Sequence, residues 1–399
     1  MGKATVTHFP VGNGDMTLIQ LGDERKTTIL IDMCIRQGCD KPENGMCDVN
    51  EELRKRLPVN AKGRPYVDVF MLTHPDQDHC NGASENLHLG PLADYVDNPT
   101  EGKPKKILVK EMWSSPLIFR RASKNHTLCD DACAIQAEAR RRVNLYKERR
   151  YFAEGDRIRV IGEDVKDENG KSKTDEILEI VSRVDDRFTA VNGAETGRIE
   201  MYVLAPLPPS DDEAEEDVLS KNNSSIIMRF WIKEYAYGAD GCKLLTGGDA
   251  EVEIWERLRR KYELERQDQE PLQYDLLIAP HHCSWGVLSH DPAGTDSEVS
   301  PEARWALSQT RRGAIIVASS DPIDDDGDDP PCYDAKLEYE DIAKDAQGEF
   351  YCTGEHPNRQ KPQPLEFLVT SNGPVAPARK AVAVTLAAAG AKPVLHGDG

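Results

Sequence analysis

No stretch of this chain stays apolar long enough to cross a bilayer, which takes about 20 consecutive apolar residues. The start, Met1-Gly2-Lys3-Ala4, runs straight into strand-like sequence and has no apolar core of the secretory kind. The expectation is therefore a soluble, cytoplasmic protein that does not associate with membranes. Aromatic residues are few, at 6%, yet the apolar fraction of 39% supports a substantial core and argues against wholesale disorder. Paired C-x-x-C spacings are missing, and the ten cysteines are scattered. Two of them, Cys80 and Cys283, adjoin candidate site residues, which suits reduced thiols better than a disulfide framework. Cys34, Cys39 and Cys47 lie close enough to invite a second zinc site, but no paired C-x-x-C spacing supports one. No internal repeat is visible.

A positive balance is also missing. The formal charge of −20 over 399 residues speaks against a general polyanion binder. The charge is unevenly spread, however. From Lys103 to Arg150 there are thirteen Lys and Arg against five Asp and Glu, a local balance of +8, so the remainder carries −28. Acidic runs at 210–217 and 321–329 read as solvated loops. The basic segment 103–150 is the place where nucleic acid or another phosphodiester substrate would be met.

What is present is concentrated at strand ends. Tyr66 to Leu72 alternates and is rich in branched and aromatic residues, which predicts a buried strand. It leads into Thr73-His74-Pro75-Asp76-Gln77-Asp78-His79, with two histidines and two aspartates in six positions. Imidazole and carboxylate are donors for zinc or manganese, and a turn at a strand end can aim several of them at one point. Two more strands end the same way. Lys243 to Thr246 runs into Gly247-Gly248-Asp249, and Tyr274 to Ala279 into Pro280-His281-His282-Cys283-Ser284. Thr27 to Ile31 ends in Asp32, a carboxylate that burial would penalise unless it is paired, with a site histidine as one candidate partner. Val11 to Asp15 reads as a glycine turn between two strands, and Asp15, like Asp32, reads as scaffolding. Helices are expected at 51–57, 131–150, 250–262, 302–308 and 335–343. The longest has apolar residues at helical spacing, acid at its start and base at its end, as the helix dipole favours. Residues 164–198 carry no clear period.

Taken together, six pieces resemble the metallo-β-lactamase superfamily, and most closely the soluble hydrolase domain of ComEC-type DNA-uptake proteins. They are Val11-Gly12-Asn13-Gly14-Asp15, Leu30-Ile31-Asp32, Thr73 to His79, Asn222-Asn223-Ser224-Ser225, Leu244 to Asp249, and Pro280 to Ser284. The match covers about 1–82 and 200–370 by order. It implies an α/β fold, the four-layer αββα metallo-β-lactamase sandwich. This would be a single hydrolase domain over 1–375, with a helical, basic insertion at about 83–155 and a low-complexity tail at 376–399. The resemblance also implies one or two divalent ions, zinc or manganese. His74 and Asp76 would hold the first, Asp78, His79 and His281 the second, and Asp249 would bridge them. Asp78, His282 and Asn223 are the candidates for catalytic roles. Asp78 would act as a base on an activated water, and His282 as an acid, a substrate contact or a structural histidine.

The chain departs from the family's pattern in several places. Asn13 replaces a glutamine, an extra glycine precedes Asp249, and Cys283 replaces a glycine. Asp76 stands where most of the superfamily has a third histidine, a harder donor that tilts its site towards manganese. Asn222-Asn223 stand in place of a further histidine, and the membrane channel of ComEC-type proteins is absent. Three functions compete on this basis. The first is a metal-dependent phosphodiesterase or nuclease. The second is a hydrolase of a small ester, lactone or thioester. The third is a binding or regulatory module with a degenerate metal site.

Overall fold

The computed structural model of the chain describes residues 2–122, 127–166, 170–294 and 296–376. All but the first residue of the expected tail lies outside the described residues. The molecule is mixed α/β, built on two large sheets. No helix among the described residues is long and apolar enough to cross a membrane.

The larger sheet has ten strands. From one edge run Gly373–Val375, Leu365–Thr370, Thr5–His8, Thr17–Gln20 and Thr28–Ile31, all antiparallel neighbours. From Thr28–Ile31 onward the pairing turns parallel through Tyr66–Met71, Ile107–Ser114, Arg157–Ile161 and Val181–Ser182. The smaller sheet has seven strands. Gly241–Thr246, Tyr274–Ile278, Thr310–Ala318 and Glu349–Cys352 are parallel, while Met228–Lys233, Ile199–Val203 and Arg187–Phe188 continue it antiparallel.

Every residue of Gly241–Thr246 is buried, as expected of a parallel strand covered on both faces. The period of two then decides which neighbours each side chain meets. Leu244, Leu276 and Val317 join a core shared with the larger sheet, including Ile29 and Phe70. Leu245, Leu277 and Ile316 join a second core with the helices Val252–Arg259, Pro301–Leu307 and Tyr333–Asp345. Each fully buried Leu or Ile contributes about 1.5–3 kcal/mol relative to exposure.

The described residues of the stretch 83–155 are tied into the larger sheet. Its strand Ile107–Ser114 lies between Tyr66–Met71 and Arg157–Ile161, in the parallel half of the larger sheet. The helix Asp130–Arg149 packs on that half through Ile135, Ala139 and Tyr146. The described residues of 164–198 lack a period because they fold as short pieces: a 3-10 turn at Asp175–Ile180, two-residue strands and a small hairpin.

Candidate metal centre

Parallel strands end at a common edge, and this places the polar turns together. Thr28–Ile31 and Tyr66–Met71 pair with Ile31 opposite Met71, so Asp32 and Thr73 emerge side by side. Gly241–Thr246 and Tyr274–Ile278 pair with Leu245 opposite Leu277, so Asp249 and His282 emerge from neighbouring turns of the other sheet. The carboxyl ends of parallel strands are where α/β folds bind their ligands.

Asp32 organises the first turn. Fully buried, with φ +56°, it accepts the Thr73 N–H at 2.7 Å and the Thr73 hydroxyl at 2.6 Å. Its Oδ2 lies 2.8 Å from His79 Nδ1. A carboxylate on Nδ1 fixes the ring and leaves Nε2 as the donor aimed into the site. Asp15 arrives from the glycine turn, where its N–H donates to the Asp78 carbonyl at 3.2 Å. A Cβ at Gly14 would stand 2.8 Å from that same carbonyl oxygen, so only glycine permits the approach. Asn13 and the Ser319 hydroxyl, which donates to the Gly14 carbonyl at 2.6 Å, fasten this turn to the smaller sheet's side. Gly248, at φ +50°, lets the chain pass Ser225, whose hydroxyl accepts the Asp249 N–H at 3.1 Å. His281, His282 and Cys283 all have positive φ, at +49°, +52° and +70°. Each such non-glycine residue carries about 1–3 kcal/mol of strain. This backbone puts the fully buried His282 among the carboxylates and leaves His281 partly exposed.

Asp15, His79, Asp249 and His282 converge, with one donor atom from each lying within 4.8 Å of the others. His79 Nε2 is 3.0 Å from Asp249 Oδ1 and 3.3 Å from His282 Nε2. His282 Nε2 is 3.6 Å from Asp249 Oδ2, and His282 Nδ1 is 3.7 Å from Asp15 Oδ1. Donors bonded tetrahedrally to one ion at about 2.0–2.1 Å stand about 3.4 Å apart, and the separations among His79 Nε2, His282 Nε2 and the Asp249 oxygens bracket that value, while Asp15 faces the other ring nitrogen of His282. Among the described residues, Asp15 Oδ1, His74 Nε2 and His282 Nδ1 are buried without hydrogen-bond partners. Orphaned buried atoms are expensive unless something else satisfies them. The donor set therefore fits a divalent cation.

The electrostatics agree. Burial alone would lower the His79 pKa, but Asp249 and Asp32 hold it well above the usual histidine value. His282 is likewise penalised by burial, and Asp249, Asp78 and Asp15 raise it to about 10. Burial would raise Asp249, yet His79, His282 and His74 keep it well below the carboxylate range. Burial pushes Asp15 up to about 6 against the pull of His282 and His79. Excess carboxylate thus holds protons on the histidines, and a divalent cation would compete for the same lone pairs.

The remaining sequence-derived residues divide. His74 Nε2 is 3.5 Å from Asp249 Oδ2 and 4.0 Å from Asp76 Oδ2. Asp78, partly exposed at the rim, lies 3.1 Å from His282 Nε2. His281 Nε2 is 3.9 Å from Asp249 Oδ2, and its Nδ1 is 3.6 Å from Glu251. Asn223 is engaged elsewhere: its amide donates to the Val218 carbonyl and accepts the Glu251 N–H, each at 2.9 Å, bracing the start of the helix Val252–Arg259. Asp15, read from sequence as scaffolding, joins the cluster, and the turn ending in an aspartate was its only signal. A cavity of about 500 Å³ under the helix Asp130–Arg149 is lined by none of these residues.

Neither a protein-family model nor a curated protein matches the chain. Among solved structures it is similar to Igni18, described as a novel metallo hydrolase from the hyperthermophilic archaeon Ignicoccus hospitalis KIN4/I. The similarity covers 91% of this chain and 98% of that one, at 10% identity and a TM-score of 0.37. At that level it assigns neither fold family nor activity, so the reading below rests on the residues.

Proposed function

We propose that this protein is a metal-dependent hydrolase of the metallo-β-lactamase sandwich type, acting on phosphodiesters. The observation that carries the reading is the buried convergence of Asp15, His79, Asp249 and His282, with donor atoms left unsatisfied. Asp249 would stand between two ion positions, one served by His79, His282 and Asp15 and the other by His74, Asp76 and His281. A divalent ion held there lowers the pKa of water and stabilises charge on the scissile group.

The chain's own residues supply the rest. Asp32 orients His79. Burial would raise the Asp78 pKa, but the hydrogen-bonded His282 and nearby His79 hold it at about 2, so it is an anionic proton acceptor at neutral pH.

A second reading, hydrolysis of a small ester, lactone or thioester, is favoured by the fate of the basic segment. Arg120 pairs with Asp164, Arg121 with Glu216, and Arg141 with Glu138 and Asp156. Arg142 is buried against Glu138. Cations already neutralised in this way offer little to a nucleic-acid backbone.

The test is turnover by protein stripped with chelator and reloaded with Zn2+ or Mn2+. Bis(4-nitrophenyl) phosphate and 4-nitrophenyl acetate would be assayed side by side. Phosphodiester turnover that needs the metal and falls at least about 100-fold in Asp78→Asn is the expected result. Turnover of the ester alone would move the assignment to the second reading. Bound metal with neither activity would make the protein a binding module.

A further inference from the structure

Two thiols on separate elements meet beside the metal-donor turn. Cys80 ends the short helix Gln77–Cys80 directly after His79 and is fully buried. Cys129 caps the start of the helix Asp130–Arg149 and is partly exposed. Their Sγ atoms are 3.5 Å apart. The approach is held from both sides. The Asp131 carboxylate accepts the N–H groups of Gly82 and Ser84 at 2.8 and 2.7 Å, clamping the long helix to the chain just beyond Cys80. Cys129 Sγ accepts the Ala132 N–H at 3.4 Å, and the Cys80 thiol donates to the Asp76 carbonyl at 3.2 Å. Cys133, one turn further along, is exposed and directed at the Leu128 carbonyl, 3.8 Å away.

We propose that Cys80 and Cys129 form an oxidative modification site, converted to a disulfide by a hydroperoxide. A disulfide needs sulfurs about 2.05 Å apart, so the two must close by about 1.5 Å from their present 3.5 Å. Cys129 reacts first because it is the thiol the oxidant reaches. Its sulfur attacks the O–O bond and keeps one oxygen as a sulfenic acid, while the other leaves as water. The Cys80 sulfur then displaces the hydroxyl group from Cys129, and its thiol proton departs with that group as a second water. Two thiols give two electrons and two protons to one hydrogen peroxide, leaving one disulfide and two waters. The cross-link would fasten the long helix to the turn that carries Asp78 and His79. It requires no metal, so it stands or falls separately from the hydrolase reading.

The experiment treats full-length, reduced, chelator-stripped protein with an equimolar amount of hydrogen peroxide. The product is denatured, alkylated, digested and mapped by mass spectrometry. Two fewer alkylated thiols than the ten of the reduced protein are expected, with one linked peptide joining Cys80 to Cys129 and full reversal by dithiothreitol. Cys129→Ser should give no cross-link. Cys80→Ser should accumulate a Cys129 sulfenic acid that dimedone traps; if that variant does not fold, Cys129→Ser and the wild-type map decide the matter. Ten alkylated thiols after peroxide, a bond between other cysteines, or a sulfinic acid at Cys129 without a cross-link would each overturn the proposal.

Discussion

The orientation of His79 depends on a residue outside the donor cluster. Asp32 fixes its ring through Nδ1 while also accepting two bonds from Thr73. Asp32→Ala removes all three interactions and leaves alanine at φ +56°, so about 3–4 kcal/mol of stability should be lost. Asn tolerates that backbone conformation and keeps an acceptor for the Thr73 N–H, so Asp32→Asn should cost only about 1–2 kcal/mol. Both variants should weaken metal binding by about 10–100-fold, because a partner that orients a ligand contributes on that scale. Denaturant unfolding and metal titration read the two effects separately, and unchanged metal affinity in the folded Asn variant would show that Asp32 does not orient His79. At this scale the sequence was legible where a carboxylate followed a buried strand, since burial demands a partner. The choice between the two adjacent histidines was not legible. Positive φ at His281 and His282 decides which ring turns inward, and no periodicity encodes that.

The helix Asp130–Arg149 lies within one residue of the limits its apolar spacing predicts. The use of the helix's charge could not be read from the sequence, because Arg141 and Arg142 turn to Glu138 within the helix and Arg141 also reaches Asp156, pairings that depend on how the side chains pack. Arg142 is 1% exposed and bonds Glu138 together with the carbonyls of Val109 and Arg157. Arg142→Glu should therefore destabilise the fold by about 3–5 kcal/mol, as breaking a buried pair does. Arg140 is exposed and has no ion-pair partner among the described residues, so Arg140→Glu should stay within about 0.5 kcal/mol of wild type. Thermal melts of the two variants check this, and equal losses would mean that Arg142 is not locked as described.

A second polar cluster sets an acid limit. Glu270 bonds Lys243 at 2.7 Å and the fully buried Arg229 at 2.8 Å, with Arg187 at 3.0 Å. Burial would raise its pKa, but Lys243 and Arg229 hold it at about 2. A depressed carboxylate stabilises the fold above its unfolded pKa of about 4.3 and loses that contribution as pH falls through the folded value. The stability gap between wild type and Glu270→Gln should be constant above about pH 5 and shrink steadily between about pH 4 and 2. Urea midpoints across that range test it, and a gap that widens in acid would reverse the sign of the account.

At the scale of the whole molecule, two sheets bring four distant turns to one edge, so the centre exists only in the folded chain. The motifs were legible because each sits at a strand end. Their convergence depends on pairings such as Ile31 with Met71 and Leu245 with Leu277, which no local pattern specifies. A cation bound there favours the native state by linkage and takes the place of histidine protons. The direct measurement is metal content by elemental analysis after dialysis, paired with melting in the presence and absence of chelator, for wild type and Asp249→Asn. The account predicts at least one equivalent of divalent transition metal in wild type, a lower melting temperature with chelator, and neither in Asp249→Asn. A wild-type protein that holds no metal and melts identically with and without chelator would contradict it.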